Sequence, residues 1–247
     1  MREEFERVRR RIAAAAAASG RQESEVRLIA VSKTKPAAAI REAYAAGQRD
    51  FGENYLQELV RKAEELGELA DIRWHMIGHL QTNKAKLAAR HASLVHSVDS
   101  PRVAEALARR RGEWVSAGMD LPAHLATPLR VLVEVNIAGE AQKAGCVPAA
   151  LGEVLASIER EPWLALGGLM TVPPFTDEPD VARRCFERLR ALRDAHGGPE
   201  RLPELSMGMS DDLEAAIAAG ATLVRVGTAI FGARSARTAT PLDPASG

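Results

Sequence analysis

Lys33 stands in the segment LIAVSKTKP, directly behind a short apolar run. A lysine at the end of a buried strand has its stem in apolar surroundings, which lowers its pKa and frees an amine able to condense with an aldehyde as a Schiff base. Lys35 would share that side if the strand continued, but Pro36 ends the extended run and makes Lys35 the poorer candidate. Far along the chain, Arg225 to Gly232 (RVGTAIFG) reads as a strand passing through a glycine and a threonine into a helix. Free N–H groups of a first helical turn, the positive helix end and the Thr228 hydroxyl together outline an anion site at Gly227 and Thr228, although a plain turn would read the same way. Ser210, followed by Asp211 and Asp212, has the form of a helix N-cap with acids in the first turn. That accounts for it without a ligand, yet its hydroxyl would face the same anion. Arg225 sits among Leu223, Val224 and Val226, where a guanidinium is costly to bury without an acceptor. A carboxylate or a pyridine nitrogen would serve.

The elements that must position these groups recur in a regular beat. Val26 to Val31 precedes a helix from Pro36; Arg49 to Phe51 precedes one from Asn54; Trp74 to Ile77 precedes one from Gln81. Leu94 to Val98 leads to a helix opening at Ser100 and Pro101, Val131 to Ile137 to one near Pro148, and Leu164 to Thr171 to one over about Pro179 to His196. Leu202 to Ser206 with a helix from Ser210, and Thr222 to Val226 with a short helix from Thr228, complete eight strand–helix units. Eight such units predict a single (β/α)8 barrel, a TIM barrel of the α/β class. An open doubly wound sheet would carry a glycine-rich turn behind its first strand, where this chain has Ser32-Lys33-Thr34-Lys35. Phe5, Val8 and Ile12 at helical spacing before Gly20 add an N-terminal helix.

In such barrels active groups follow the strands. That selects Lys33, Glu53 and Asn54, His79, Asn136, Met170, Ser206 and Ser210, and the segment from Arg225 to Thr228. Two stretches depart from the beat: Arg109 to Pro128, which contains Trp114, and a tail rich in Ala, Thr and Pro from Ser235. The expected division is a barrel over 1–234 and a disordered tail over 235–247.

Composition excludes several classes of function. Thirty-three basic residues balance 33 acidic ones, so no global field recruits nucleic acid or an anionic membrane. Cys146 and Cys185 form neither a disulfide framework nor a zinc motif, which fits a reducing, cytoplasmic setting. Neither a signal peptide nor a membrane span is expected, because a charged N-terminus precedes only a short alanine run. His75 and His79 would share a face on a helix, but here they straddle a strand end, which argues against a metal pair.

LIAVSKTKP with Lys33, FGENYLQE with Asn54, WHMIGHLQTNK, GLMTVPP, LSMGMSDDLEAAIAAG and VRVGTAIFGAR occur in order over about residues 1–234. Together they resemble the pyridoxal phosphate homeostasis proteins, relatives of the alanine racemase barrel. The resemblance implies pyridoxal 5′-phosphate (PLP) as a Schiff base on Lys33. It puts the phosphate on Ser210, Gly227 and Thr228, the pyridine nitrogen on Arg225, and Ser206 and Asn54 nearby. An arginine there disfavours protonation of the ring and weakens the cofactor as an electron sink. The related racemases and decarboxylases carry a second, β-rich domain that is not expected here. The implied function is a monomeric, non-catalytic holder of PLP with PLP-requiring apo-enzymes as recipients. The alternative is a PLP-dependent racemase or lyase with Tyr55 or His79 as second base. One departure is Gln142, where a small hydroxyl residue is expected; Lys143 and Gly145 are kept.

Overall fold

The computed structural model describes residues 1–118, 128–140, 142–174 and 178–232. Helix α1 (Arg2–Ala18) buries Phe5, Val8 and Ile12 on one face. Then β1 (Arg27–Val31), α2 (Ala37–Ala45), β2 (Asp50–Glu53), α3 (Leu56–Glu65), β3 (Arg73–Met76) and α4 (Ala85–His91) alternate. They are followed by β4 (Leu94–Val98), α5 (Pro101–Ser116), β5 (Leu129–Glu134), α6 (Leu151–Glu159) and β6 (Leu164–Met170). After α7 (Pro179–Ala195) and a short α8 (Gly198–Arg201) come β7 (Glu204–Ser206), α9 (Leu213–Ala218), β8 (Leu223–Val226) and α10 (Thr228–Phe231). The eight strands form a closed parallel barrel, the TIM-barrel architecture expected from the repeat.

Closure is made by β1 and β8, which pair from Arg27 with Leu223 to Ala30 with Val226. The chemistry-bearing ends of the sequence are thereby neighbours. Inward-facing Ile29, Leu94, Leu132, Met170 and Leu223 pack as a core inside the barrel, separate from the larger layer between strands and helices. Gly168 has φ of +145°, and a Cβ there would meet the Glu204 carbonyl oxygen at 1.9 Å. This glycine lets β6 approach β7 where its register with β5 shifts between Val131 and Leu132.

Two expectations are corrected. Strand β5 ends at Glu134, three residues short of Ile137, because Val135 turns away to bridge Cys146 and the Asn136 amide donates to the Cys146 carbonyl. The first part of the stretch from Arg109 is an ordinary continuation of α5 to Ser116. There Arg111 is fully buried and donates to the Ala89 carbonyl, and a Cβ on Gly112 would lie 2.5 Å from the Trp163 indole nitrogen. Trp114 lies under the Arg90 guanidinium at 4.7 Å, a cation–π contact on the outer layer. Residues 119–127 and the tail 235–247 lie outside the described residues. Among the described residues no helix is long and apolar enough to cross a membrane.

Candidate functional site

Beyond β1 the chain turns through Lys33, whose side chain is half-buried at the mouth. Thr34 takes φ of +64°, an uncommon conformation for a β-branched residue, and its N–H is held by Glu58 Oε1 at 2.7 Å. The ammonium of Lys62, on the inner face of α3, is fully buried. It donates to the Ser32 carbonyl, Glu53 Oε1 and Glu58 Oε1, each at 2.7 Å, and the Ser32 hydroxyl also reaches Glu53 at 2.6 Å. Burial pushes the Glu53 carboxyl pKa up, against the opposing pull of Lys62. The residues on both sides of Lys33 are thus fixed by one buried cluster. Lys35 is committed elsewhere: its ammonium donates to the carbonyls of Phe231 at 2.8 Å and Gly232 at 3.2 Å, at the end of α10.

Arg225 projects inside the barrel and is 4% exposed. It donates to the Ser206 hydroxyl at 2.7 Å and to the Thr171 carbonyl at 2.9 Å. Burial lowers its pKa to about 10, with Glu134 and Asp212 opposing, so it stays cationic at neutral pH. From Ser206 a chain of side chains runs along the barrel interior: to His96 Nδ1 at 2.8 Å, from His96 Nε2 to His75 Nδ1 at 2.9 Å, and from His75 Nε2 to Asp50 Oδ1 at 2.9 Å. Asp50 closes the chain on Arg73 through two bonds of 2.8 and 2.6 Å.

Proton placement along this chain follows from its ends. Burial would raise the Asp50 pKa, but the bonds from Arg73 and His75 hold it well below the usual carboxylate range, so it accepts. Burial depresses both histidines, so each is neutral and carries one proton. His75 therefore donates to Asp50, His96 donates to His75, and Ser206 donates to His96 while accepting from Arg225. From Arg225 through Ser206, His96 and His75, each link donates toward Asp50, away from the mouth.

Ser210 and Thr228 meet at the seam between β7 and β8, with hydroxyls 3.0 Å apart and the Ala229 N–H 3.4 Å from the Ser210 oxygen. Ser210 is not the N-cap expected: Asp212 occupies that place ahead of α9, and its carboxylate accepts from the Met209 N–H at 2.6 Å. The turn through Asp211 and Asp212 delays the helix and releases Ser210 toward Thr228. A Cβ on Gly227 would lie 3.2 Å from the Val31 carbonyl oxygen, so the glycine brings this corner against the end of β1.

Other residues at strand ends have different tasks. Asn54 is half-buried behind β2, with its carbonyl oxygen only 2.1 Å from where a Cβ on Gly78 would stand. Asn136 is taken up by its own loop, donating to the Glu140 carbonyl and accepting from the Gly139 N–H. Gln142 reaches the Glu140 carboxylate within the same loop. Met170 is packed inside the barrel, and Ser206 is the link already described. His79 lies at the mouth 3.4 Å from Asp99, whereas both ring nitrogens of His75 are engaged in the interior, so the two histidines serve different places. Lys62, His96 and Glu134 were not singled out from sequence. Lys62 had a signal, since Leu56, Leu59 and Lys62 share the buried face of α3.

A buried cation inside the barrel, a half-buried lysine at the end of β1 and a hydroxyl corner behind β7 and β8 stand together at one mouth of the barrel. The sequence pattern of the alanine racemase N-terminal domain matches residues 5–235. The chain belongs to the pyridoxal phosphate homeostasis protein family. It is 50% identical over 233 residues to the protein of that name from Pseudomonas aeruginosa, covering 94% of this chain and 95% of the relative. The Escherichia coli protein of the same name is 48% identical over 233 residues, covering 92% and 94%. Among solved structures, PipY of Synechococcus elongatus with PLP bound superposes with a TM-score of 0.75 at 40% identity, covering 90% of this chain and 100% of that one. Alanine racemase from Corynebacterium glutamicum, 18% identical with a TM-score of 0.61, shares the fold, and this chain covers 62% of its length.

Proposed function

We propose that this chain binds PLP in the barrel mouth as a Schiff base on Lys33 and holds the cofactor for PLP-requiring enzymes without turning over a substrate itself. The observation that carries this is the seam between β1 and β8. It sets the Lys33 turn beside Gly227, and Gly227 leads into the Ser210–Thr228 corner, with Arg225 directly below. An amine, a hydroxyl pair with nearby N–H groups and a buried guanidinium match the aldehyde, phosphate and ring nitrogen of PLP in kind. Ser210, Gly227 and Thr228 would hold the phosphate, Arg225 the ring nitrogen, and Asn54 and Ser206 would border the ring. PLP bound to PipY, a relative 40% identical, supports the same ligand here.

Attachment needs only the neutral Lys33 amine and the aldehyde: one C=N bond replaces the C=O bond and a water leaves. Hydrolysis reverses it and returns free PLP to a recipient. PLP in general supplies an electron sink for carbanion chemistry, and that sink is strongest when the ring nitrogen is protonated. Arg225, a cation whose position is fixed by Ser206 and the Thr171 carbonyl, opposes that protonation. The test is to load the purified protein with PLP and follow both its visible absorbance and the racemisation of added amino acids. Binding with turnover well below about one per second, a low figure for a dedicated enzyme, is expected. Faster turnover would make the chain a racemase.

A further inference from the structure

We infer that the end of the barrel opposite the mouth carries a second anion site, one that takes a diphosphate group. The packed interior and the two buried histidines separate it from Lys33 and Arg225, so it stands whether or not PLP occupies the mouth.

The first three strands start on arginines: Arg27 and Arg73 are the first residues of β1 and β3, and Arg49 directly precedes β2. Strand alternation sets where two of them point. Arg27 stands two residues ahead of Ile29, and Arg73 two ahead of His75, both of which face the barrel interior. Their stems therefore leave the inner face at the barrel floor. Arg9 arrives from α1, with its Nη2 only 3.8 Å from where a Cβ on Gly47 would stand, in the loop ahead of β2. These four arginines border one open cavity of about 630 Å³, and the acids in its wall are two, Glu23 and Asp50.

The N-terminal face of a barrel ordinarily serves stability, and part of this cluster does. Arg73 holds Asp50 through two bonds, and Arg49 holds Asp71 at 2.6 Å. Arg9 and Arg27 are not accounted for in this way, because among the described residues neither side chain makes a hydrogen bond. The ion pair of Arg27 with Glu204 Oε1 is long, at 4.0 Å. That oxygen already accepts from Arg130 at 3.2 Å, and Oε2 accepts from Thr222 at 2.6 Å. Guanidinium forks left with spare donors around one cavity match the oxygens of a phosphate, and the excess of cations in the wall selects a multivalent anion. The cavity exceeds what one phosphate fills and is of the size that holds small ligands. A diphosphate can share its two groups between the arginine on α1 and those on the strands.

Calorimetric titration of the full chain with inorganic pyrophosphate, in about 0.1 M chloride to screen diffuse surface attraction, tests the site. A Kd of about 0.1 mM or tighter is expected. Arg27→Gln and Arg9→Gln each remove charge-assisted contacts and should weaken binding about tenfold. Ser210→Ala, at the mouth, should leave it unchanged. Cooperative thermal unfolding establishes that each variant is folded, and if Arg27→Gln is not, Arg9→Gln decides alone, since the exposed Arg9 side chain bonds to nothing in the fold. ADP titrated alongside separates the two forms in which a diphosphate occurs: affinity equal to or above that of pyrophosphate assigns the site to esterified diphosphates, and lower affinity assigns it to the inorganic ion. Absence of binding up to about 5 mM, or an unchanged Kd in the floor variants, overturns the site. Weakening by Ser210→Ala in place of the floor variants would assign the binding to the mouth and overturns it as well.

Discussion

Ser206 and His96 are 110 residues apart in the chain, and their side chains meet at 2.8 Å inside the barrel. That bond joins the cation beneath the mouth to a polar chain ending on Asp50 and Arg73 at the far end of the barrel. Because all the donors run toward Asp50, the Ser206 oxygen is free to accept from Arg225. Removing the hydroxyl with Ser206→Ala leaves Arg225 and His96, both buried, each short of a partner. The expected loss is about 1–3 kcal/mol in denaturant unfolding, with weaker PLP binding. A stability equal to wild type would mean that the chain is not a connected unit.

The same two histidines set the acid limit of the fold. Their pKa values are depressed by burial, so on lowering the pH the unfolded chain takes up protons first, from about pH 6.5. Stability is retained above that value and falls below it by up to about 1.4 kcal/mol per pH unit for each histidine. His96→Gln, which can still donate and accept, should flatten the decline between about pH 6.5 and 5. Unfolding curves with the same pH slope in both proteins would contradict this.

Lys62 is expected to matter through Lys33. Lys62→Met strips the counter-cation from Glu53 and Glu58 and frees the Ser32 carbonyl, at a cost of about 3–5 kcal/mol for a broken buried pair. The double change Lys62→Met with Glu53→Gln should recover part of the stability while the Thr34 turn stays loose. Reductive labelling of Lys33 should then remain slower than in wild type. Labelling at the wild-type rate in that protein would show that the cluster only stabilises the fold.

Lys35 gives the contrasting case. It sits two residues from Lys33 but is turned onto the α10 carbonyls. Lys35→Met should shift the thermal midpoint by only a few degrees, consistent with the loss of about 1 kcal/mol in capping bonds, and leave labelling on Lys33. Loss of labelling in this variant would reassign the attachment point.

The barrel was legible because eight short, mostly apolar runs alternate with helical patterns, as parallel strands covered on both faces generally do. The places of Lys33, Arg225, Gly227 and Thr228 in or just behind β1 and β8 were legible for a related reason: each interrupts or terminates an apolar run in a way that burial alone does not favour. The interior chain was not, because Asp50, His75 and His96 lie on three different strands and only barrel closure shows that they face one axis. Ser210 was misplaced as an N-cap because Asp211 and Asp212 offer the same chemistry two residues later. Glu134 alternates with apolar neighbours much as an exposed strand residue would, and its burial depends on the loop that Gly145 folds over it.

The most direct test of the central proposal is borohydride reduction of the PLP-loaded protein followed by mass analysis of the peptide that contains Lys33. An absorbance band at about 410–430 nm, as imines of this cofactor generally show, should be lost on reduction and the added mass should lie on Lys33. Lys33→Ala should show neither. A reduced adduct on another lysine, or no adduct at saturating PLP, would contradict the attachment proposed here.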